Sequence, residues 1–398
     1  MSQTRIRAGD NASVTPSTAV QPQRSATRTT ARPALPRARW PKGAAAPVLA
    51  EVRRGVLVES RHRGHVVQVD DHGRLERGVG DPDYVTSLRS AVKPFALAAL
   101  IEADAADAFH LTGPELSIMT ASHDGEDAHV RTLQAVLRRA GLSQSLLACG
   151  TDMAPIDKIT AARLAREGEA AGPIRQMCSG FHVASLLLAR HAGWTLADYW
   201  RPEHPTQRAV RDVVARIFGV KQNELISAID NCGVQTYAFP LTTIARAFCL
   251  LADPAGVADA ARKPLVPILT RIRDAMVGAP EMVGGTHEST DTKLMRARPA
   301  LMVSKGGAEG LRGIGLLPGA RGAGSAAAGV AIKIEDGDGD ARANKSVSVE
   351  ALAQLGVLDG PTLERLNAVH RPPSRDPRGI EIAMTVPAFQ LAPFSELG

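Results

Sequence analysis

Aromatic residues make up only 4% of this 398-residue chain, with three Trp and three Tyr. That scarcity removes the ring platforms on which single-strand nucleic-acid binders stack bases. No run approaches the roughly 18 apolar residues of a membrane-spanning helix. The first 30 residues hold no short apolar core of a secretory signal, so the chain reads as cytoplasmic, with no membrane partner. Cysteine is also sparse: Cys149, Cys178, Cys232 and Cys249 lie far apart, and disulfides are not expected. Acidic residues are nearly missing from the first 47 positions, where seven arginines and Lys42 face only Asp10. That stretch therefore holds +7 of a total of +6, and the remainder carries −1. A near-neutral body with a basic tail is not a nucleic-acid-binding domain, because phosphate binding needs clustered cations on the folded part.

The basic stretch is rich in Pro, Thr, Arg and Ala and cannot bury enough surface to offset its ordering entropy. Residues 1–47 are read as a disordered tail and residues 48–398 as one catalytic domain with a helical block over about 110–280. With 44% hydrophobic residues, that domain can bury a large core. "VLAEVRRGVLVES" and "GHVVQVDDHGRL" read as β-strands joined at "RHRG". A helical pattern runs from Ser90 to about Phe109, and Pro94 requires it to begin near Ser90, since proline fits only a first helical turn. Thr112 and Glu115 have capping-box spacing. "SHDGED" then breaks the helical pattern, and Cys149 to Val277 is mostly helical. After it come strands "ALMVSKGG", "LRGIGLLPG" and "AAGVAIKIEDGDG", a helix near Ala343 and a late strand "GIEIAMTVP". Strands at both ends around a helical block predict an α/β fold with one antiparallel sheet built from both ends of the chain.

Three chemical signals occur in one order: Ser90-x-x-Lys93 at a helix start, Ser122 in a helix break, and Lys305-Gly306-Gly307 at a strand end. The penicillin-recognising serine enzymes use the same order, S-x-x-K, S-D-N and K-T-G. A serine hydroxyl attacks only when a base takes its proton, and a lysine becomes that base when burial or a neighbouring cation disfavours its charge. Lys93 at i+3 shares a helix face with Ser90, and Lys305 would help keep one of two amines neutral. Gly306 and Gly307 would let a substrate approach the strand backbone. Taken alone, Ser90 and Lys93 read more readily as a helix cap and a solvated lysine than as a nucleophile and its base. Asp336, Asp338 and Asp340 lack calcium-loop spacing and read as a turn.

The runs "EVRRGVLVESRHRGHVV", "RSAVKPF", "ASHDGE", "CSGFHVA", "DNCGVQTYAFPL", "VSKGGAEG" and "AIKIEDGDGDARA" resemble the rhizobial-type L-asparaginases, the asparaginase II group with a serine β-lactamase-like fold. The resemblance implies hydrolysis of L-asparagine to L-aspartate and ammonia by two Ser-Lys pairs, Ser90 with Lys93 and Ser122 with Lys305. It further implies a homodimer, an arginine at Arg89 beside the first serine, and an acidic residue at Asp230 beside the site. In that family a zinc is held by two cysteines and a lysine, and the cysteines fall on Cys178 and Cys232. The lysine position is Phe181, which cannot coordinate, while His182 lies one turn after Cys178 as a possible substitute. Two thiolates alone make a weak zinc site, so no cofactor is expected to be required. Two other readings stay open: a serine β-lactamase or D,D-peptidase, and a non-catalytic relative that binds an amide ligand.

Overall fold

The structure, a computed structural model, describes residues 45–394 except Met153 and Asp340. The tail assignment falls almost wholly outside those residues. Twelve strands are described: β1 (Val48–Arg54), β2 (Leu57–Val69), β3 (Leu75–Val79), β4 (Val85–Ser87), β5 (Ile226–Ile229), β6 (Gln235–Pro240), β7 (Met302–Gly307), β8 (Leu311–Leu316), β9 (Ala328–Ile334), β10 (Pro373–Arg375), β11 (Glu381–Pro387) and β12 (Ala392–Pro393). Nine form one sheet in the order β10-β11-β1-β2-β9-β8-β7, with β3 pairing both β2 and β12. Every pairing is antiparallel, so the protein is a mixed α/β molecule whose main sheet draws on both ends of the chain.

The first hairpin turns earlier than expected. Gly55 carries φ +58° and takes the bend between β1 and β2, whereas Arg61–Gly64 lies inside the 13-residue β2. Arg61 and Arg63 are exposed and His62 is buried, the period-two pattern of a strand. The expected helical block also conceals strands. A second sheet, β4-β6-β5, interrupts it. Its strands β5 and β6 are short and joined by the Asp230–Val234 turn, where Asp230 N–H donates to Val234 O and Gly233 N–H to Asp230 O.

The helix Leu241–Ala252 lies directly on β8 and β9. A Cβ at Gly313 would sit 1.9 Å from the Phe248 ring, so glycine is what lets this helix rest on the strand. Phe248 meets Phe95 edge-on at 5.1 Å, and Phe95 meets Phe218 the same way. These rings anchor the chain two residues beyond Lys93 in the core. The segment opens as a 3-10 turn, Arg89–Val92, followed by the helices Lys93–Ala96 and Ala98–Glu102, with Pro94 in the first turn as its ring requires. The Thr112–Glu115 capping box is formed and starts the helix Gly113–Met119. Among the described residues, no helix is long and apolar enough to cross a membrane.

Candidate functional site

Four segments remote in sequence converge: the turn at Arg89–Lys93, the loop after Met119, the Asp230–Val234 turn, and the end of β7. Lys93 and Lys305 are both essentially buried, at 2% and 0% exposure. Lys305 Nζ donates to Ser122 Oγ at 2.9 Å and to Gly306 O at 2.9 Å. Lys93 Nζ donates to Ala121 O at 2.6 Å. The two amines thus hold the Ala121–Ser122 segment between them. Ser122 N–H donates to Val283 O, fixing the loop from the other side.

The two predicted pairs are not equivalent. Ser122 and Lys305 are bonded directly, whereas Ser90 Oγ makes no hydrogen bond among the described residues, although Ser90 is only 8% exposed. The residue before it, Arg89, has φ +47°, a left-handed conformation that strains a non-glycine residue. Its guanidinium is held by Asp230, with Nε to Oδ1 at 2.7 Å, and by Asn231 Oδ1 at 3.0 Å. Arg89 and Asp230 therefore form one ion pair that pins the Ser90 turn to the β5–β6 connection.

Burial pushes the Lys305 amine down to about 8; Asp291 opposes the shift, and Lys93 and Arg312 add to it. A fully buried ammonium loses hydration, and two nearby cations disfavour its charge further. Asp291 was not singled out in the sequence. It accepts from Ser304 Oγ at 2.7 Å and from Gly306 N–H at 2.9 Å, pairs with Arg312, and lies 3.9 Å from Lys305 Nζ. Its only local signature is a position two residues past the Ser289 helix cap, which marks a helix start and nothing more. The Gly306 N–H is thus engaged by Asp291. At Gly307 the close neighbour is the protein itself, since a Cβ there would lie 2.3 Å from Leu88 O.

Cys178 and Cys232 are buried against each other. Hydrogen bonding from Cys232 lowers the Cys178 thiol against the opposing effect of burial, with Lys93 alongside, and Cys232 is raised in return. All four cysteines are free, and Cys149 and Cys249 belong to the core. His182 is fully buried, its Nδ1 bonded to the Tyr199 hydroxyl at 2.6 Å, and burial followed by Lys93 pushes it down to about 3. It does not join the cysteines: among the described residues, the one group of three ligand atoms within 4.8 Å of one another is Glu126, Asp157 and His287. Phe181 is buried and offers no donor. Among the described His, Cys, Asp and Glu residues no third ligand atom joins the two sulfurs, and the Lys93 amine beside Cys178 donates to Ala121 O; two sulfurs alone do not fit a zinc ion.

The turn after β9 follows its sequence reading in part. Asp338 caps the helix Ala343–Gln354, accepting from Ala343 N–H at 2.9 Å and Asn344 N–H at 2.7 Å. Asp340 lies outside the described residues.

No curated protein matches this chain. Among solved structures, a crystal structure of Mglu in its L-glutamate-binding form in the presence of 4.3 M NaCl is similar with a TM-score of 0.34 and 15% identity, covering 78% of this chain and 64% of that one. A second structure of Mglu gives 0.33 and 14%, covering 78% and 72%. The chain spans less than two thirds of the length of the first of these. The model for the family described as L-asparaginase II matches residues 50–386, and the chain belongs to that family.

Proposed function

We propose that the protein is an amidohydrolase that converts L-asparagine to L-aspartate and ammonia, on a fold of the serine β-lactamase kind. The observation that carries this reading is the buried Lys305 amine, pushed down to about 8 and bonded to Ser122 Oγ at 2.9 Å, in a member of this family. Ser90 attacks the side-chain amide carbon. Its hydroxyl is unbonded among the described residues and stands on a strained turn, ready for a new partner. The proton leaves through Lys93 or through Ser122 to Lys305, and the same groups return it to the departing ammonia. Water then releases aspartate from the acyl-enzyme. Direct attack by Ser122 is the second reading, favoured by its bond to Lys305.

Ammonia release from L-asparagine, with L-glutamine as competing substrate, tests the assignment. Turnover of a chromogenic β-lactam without ammonia release would replace it with a lactamase or peptidase, and turnover of neither would favour a non-catalytic amide binder. Ser90→Ala and Ser122→Ala are each expected to lower the rate by about 10²–10⁴-fold. Mass analysis of the trapped acyl-enzyme then identifies which serine carries the acyl group.

The catalytic steps run through protein groups alone. Protein purified without added zinc is expected to carry no stoichiometric, chelator-resistant zinc at Cys178 and Cys232; elemental analysis of wild type against Cys178→Ser decides. We further propose a cytoplasmic homodimer, which sedimentation analysis tests.

A further inference from the structure

A second cluster lies on the far end of the loop that carries Ser122. One ligand atom from each of Glu126, Asp157 and His287 lies within 4.8 Å of the others. The three come from separate segments. Glu126 precedes the helix Asp127–Arg139, Asp157 caps the helix Lys158–Glu167, and His287 sits on the loop after Val283. Glu126 and Asp157 are buried and His287 is exposed, so the cluster is roofed by an imidazole that solvent can reach. Each carboxylate is oriented by the backbone: Thr286 N–H donates to Glu126 Oε1 at 2.6 Å, and Thr160 N–H to Asp157 Oδ2 at 2.7 Å.

A separate side chain points to a ligand there. Asp124 is more than nine-tenths buried, yet its carboxylate takes part in no hydrogen bond or ion pair among the described residues. Its Oδ2 and Glu126 Oε1 converge over Gly285, lying 2.4 and 2.9 Å from where a Cβ on that glycine would be. Three carboxylates thus stand together, and none is in an ion pair with Arg or Lys among the described residues. Buried carboxylates without a cation are costly: Glu126 and Asp157 have only backbone and hydroxyl donors, and Asp124 has no donor among the described residues.

We propose that Glu126, Asp157 and His287, with Asp124 beside them, bind a divalent first-row cation. Carboxylates with one imidazole suit an ion such as Mn²⁺, with water completing the shell, whereas two buried thiols would select a softer ion. The ion would tie the Ser122 loop to residues 284–287 and to the cap at Asp157. Its site shares no residue with the cysteine pair and differs from it in donor chemistry.

The test uses the full chain, dialysed against chelator and titrated with Mn²⁺ alone, with occupancy read from loss of the free-ion electron paramagnetic resonance signal and from the melting temperature. One equivalent is expected to bind and to raise Tm by several degrees, on the order of the linkage effect at saturating ligand. His287→Ala, at an exposed position that leaves the core untouched, and Asp157→Asn are each expected to weaken binding at least about 10-fold. Cys178→Ser combined with Cys232→Ser leaves it unchanged, as does Ser90→Ala, so the result does not depend on the catalytic reading. No Mn²⁺ binding by the wild type, binding that survives both His287→Ala and Asp157→Asn, or loss of binding in the cysteine variant would overturn the proposal. Protection by L-aspartate in place of Mn²⁺ would do so as well, by assigning the carboxylates to a substrate ammonium.

Discussion

Lys305→Met is expected to lower ammonia release from L-asparagine by about 10²–10⁴-fold, the usual contribution of a positioned acid–base group. Methionine roughly conserves the volume of the buried side chain, so the lost function should not be lost folding; circular dichroism of the variant checks this. The wild type should show the same group in its pH profile. A base must be deprotonated to act, and the Lys305 amine is pushed down to about 8. kcat/KM should therefore rise about tenfold per pH unit below that value and level off above it. Lys305→Met removes this limb. A wild-type profile flat between pH 6 and 9 would show that Lys305 is not the base.

Asp291→Asn should have the largest effect on stability, about 3–5 kcal/mol by urea unfolding, because it leaves buried cations unpaired. Burial raises this carboxyl, but Arg312, Lys305, the Gly306 N–H and Ser304 together outweigh it and hold it below the usual carboxylate range. A carboxylate with a depressed value stabilises the fold above its unfolded pKa and loses that contribution as pH falls through the folded one. The Asp291 contribution is thus full at neutral pH and disappears in acid. The substitution also carries a functional signature. Asp291 is the one group facing Lys305 that strongly favours its charge, against Lys93 and Arg312, while Cys178 adds a smaller favourable effect. Removing it should move the activity limb below pH 8. Combining Asp291→Asn with Arg312→Met should restore part of the lost stability and move the limb only part of the way back, because Arg312 itself disfavours the Lys305 charge but by less than Asp291 favours it.

Residue patterns exposed the strands at both ends, the Pro94 helix start and the Thr112 cap, because each follows from local rules of spacing and ring geometry. The first turn escaped because Gly55 sits between runs of equal β character, and "RHRG" looks more polar than a buried strand should. The small sheet escaped because β4 has only three residues and finds its partner, β6, roughly 150 positions later. At the site, Ser122 and Lys305 were legible through a known order of motifs. Asp291 was not, since an acidic residue in a first helical turn looks the same whether it faces solvent or a lysine. The Asp124–Glu126–Asp157 cluster was hidden for a similar reason: "SHDGED" reads as a polar loop, and only the folded chain brings His287 onto it.

The sheet order has a consequence for how the molecule is made. β2 pairs β9, with Gly64 facing Ile334, and β1 pairs β11, with Ala50 facing Pro387. Of the described strands, the two earliest in sequence therefore wait for partners roughly 330 (β1) and 270 (β2) residues later. Until then, the apolar residues of β2 that the finished protein buries, Val66, Val67 and Val69, have only the neighbouring strands β1 and β3 beside them. Contacts this distant slow folding, since a long loop must close before any pairing compensates for it. The turn bearing Ser90 emerges early and the strand bearing Lys305 late, so the nascent chain carries its serine long before it can hold the amine that would activate it.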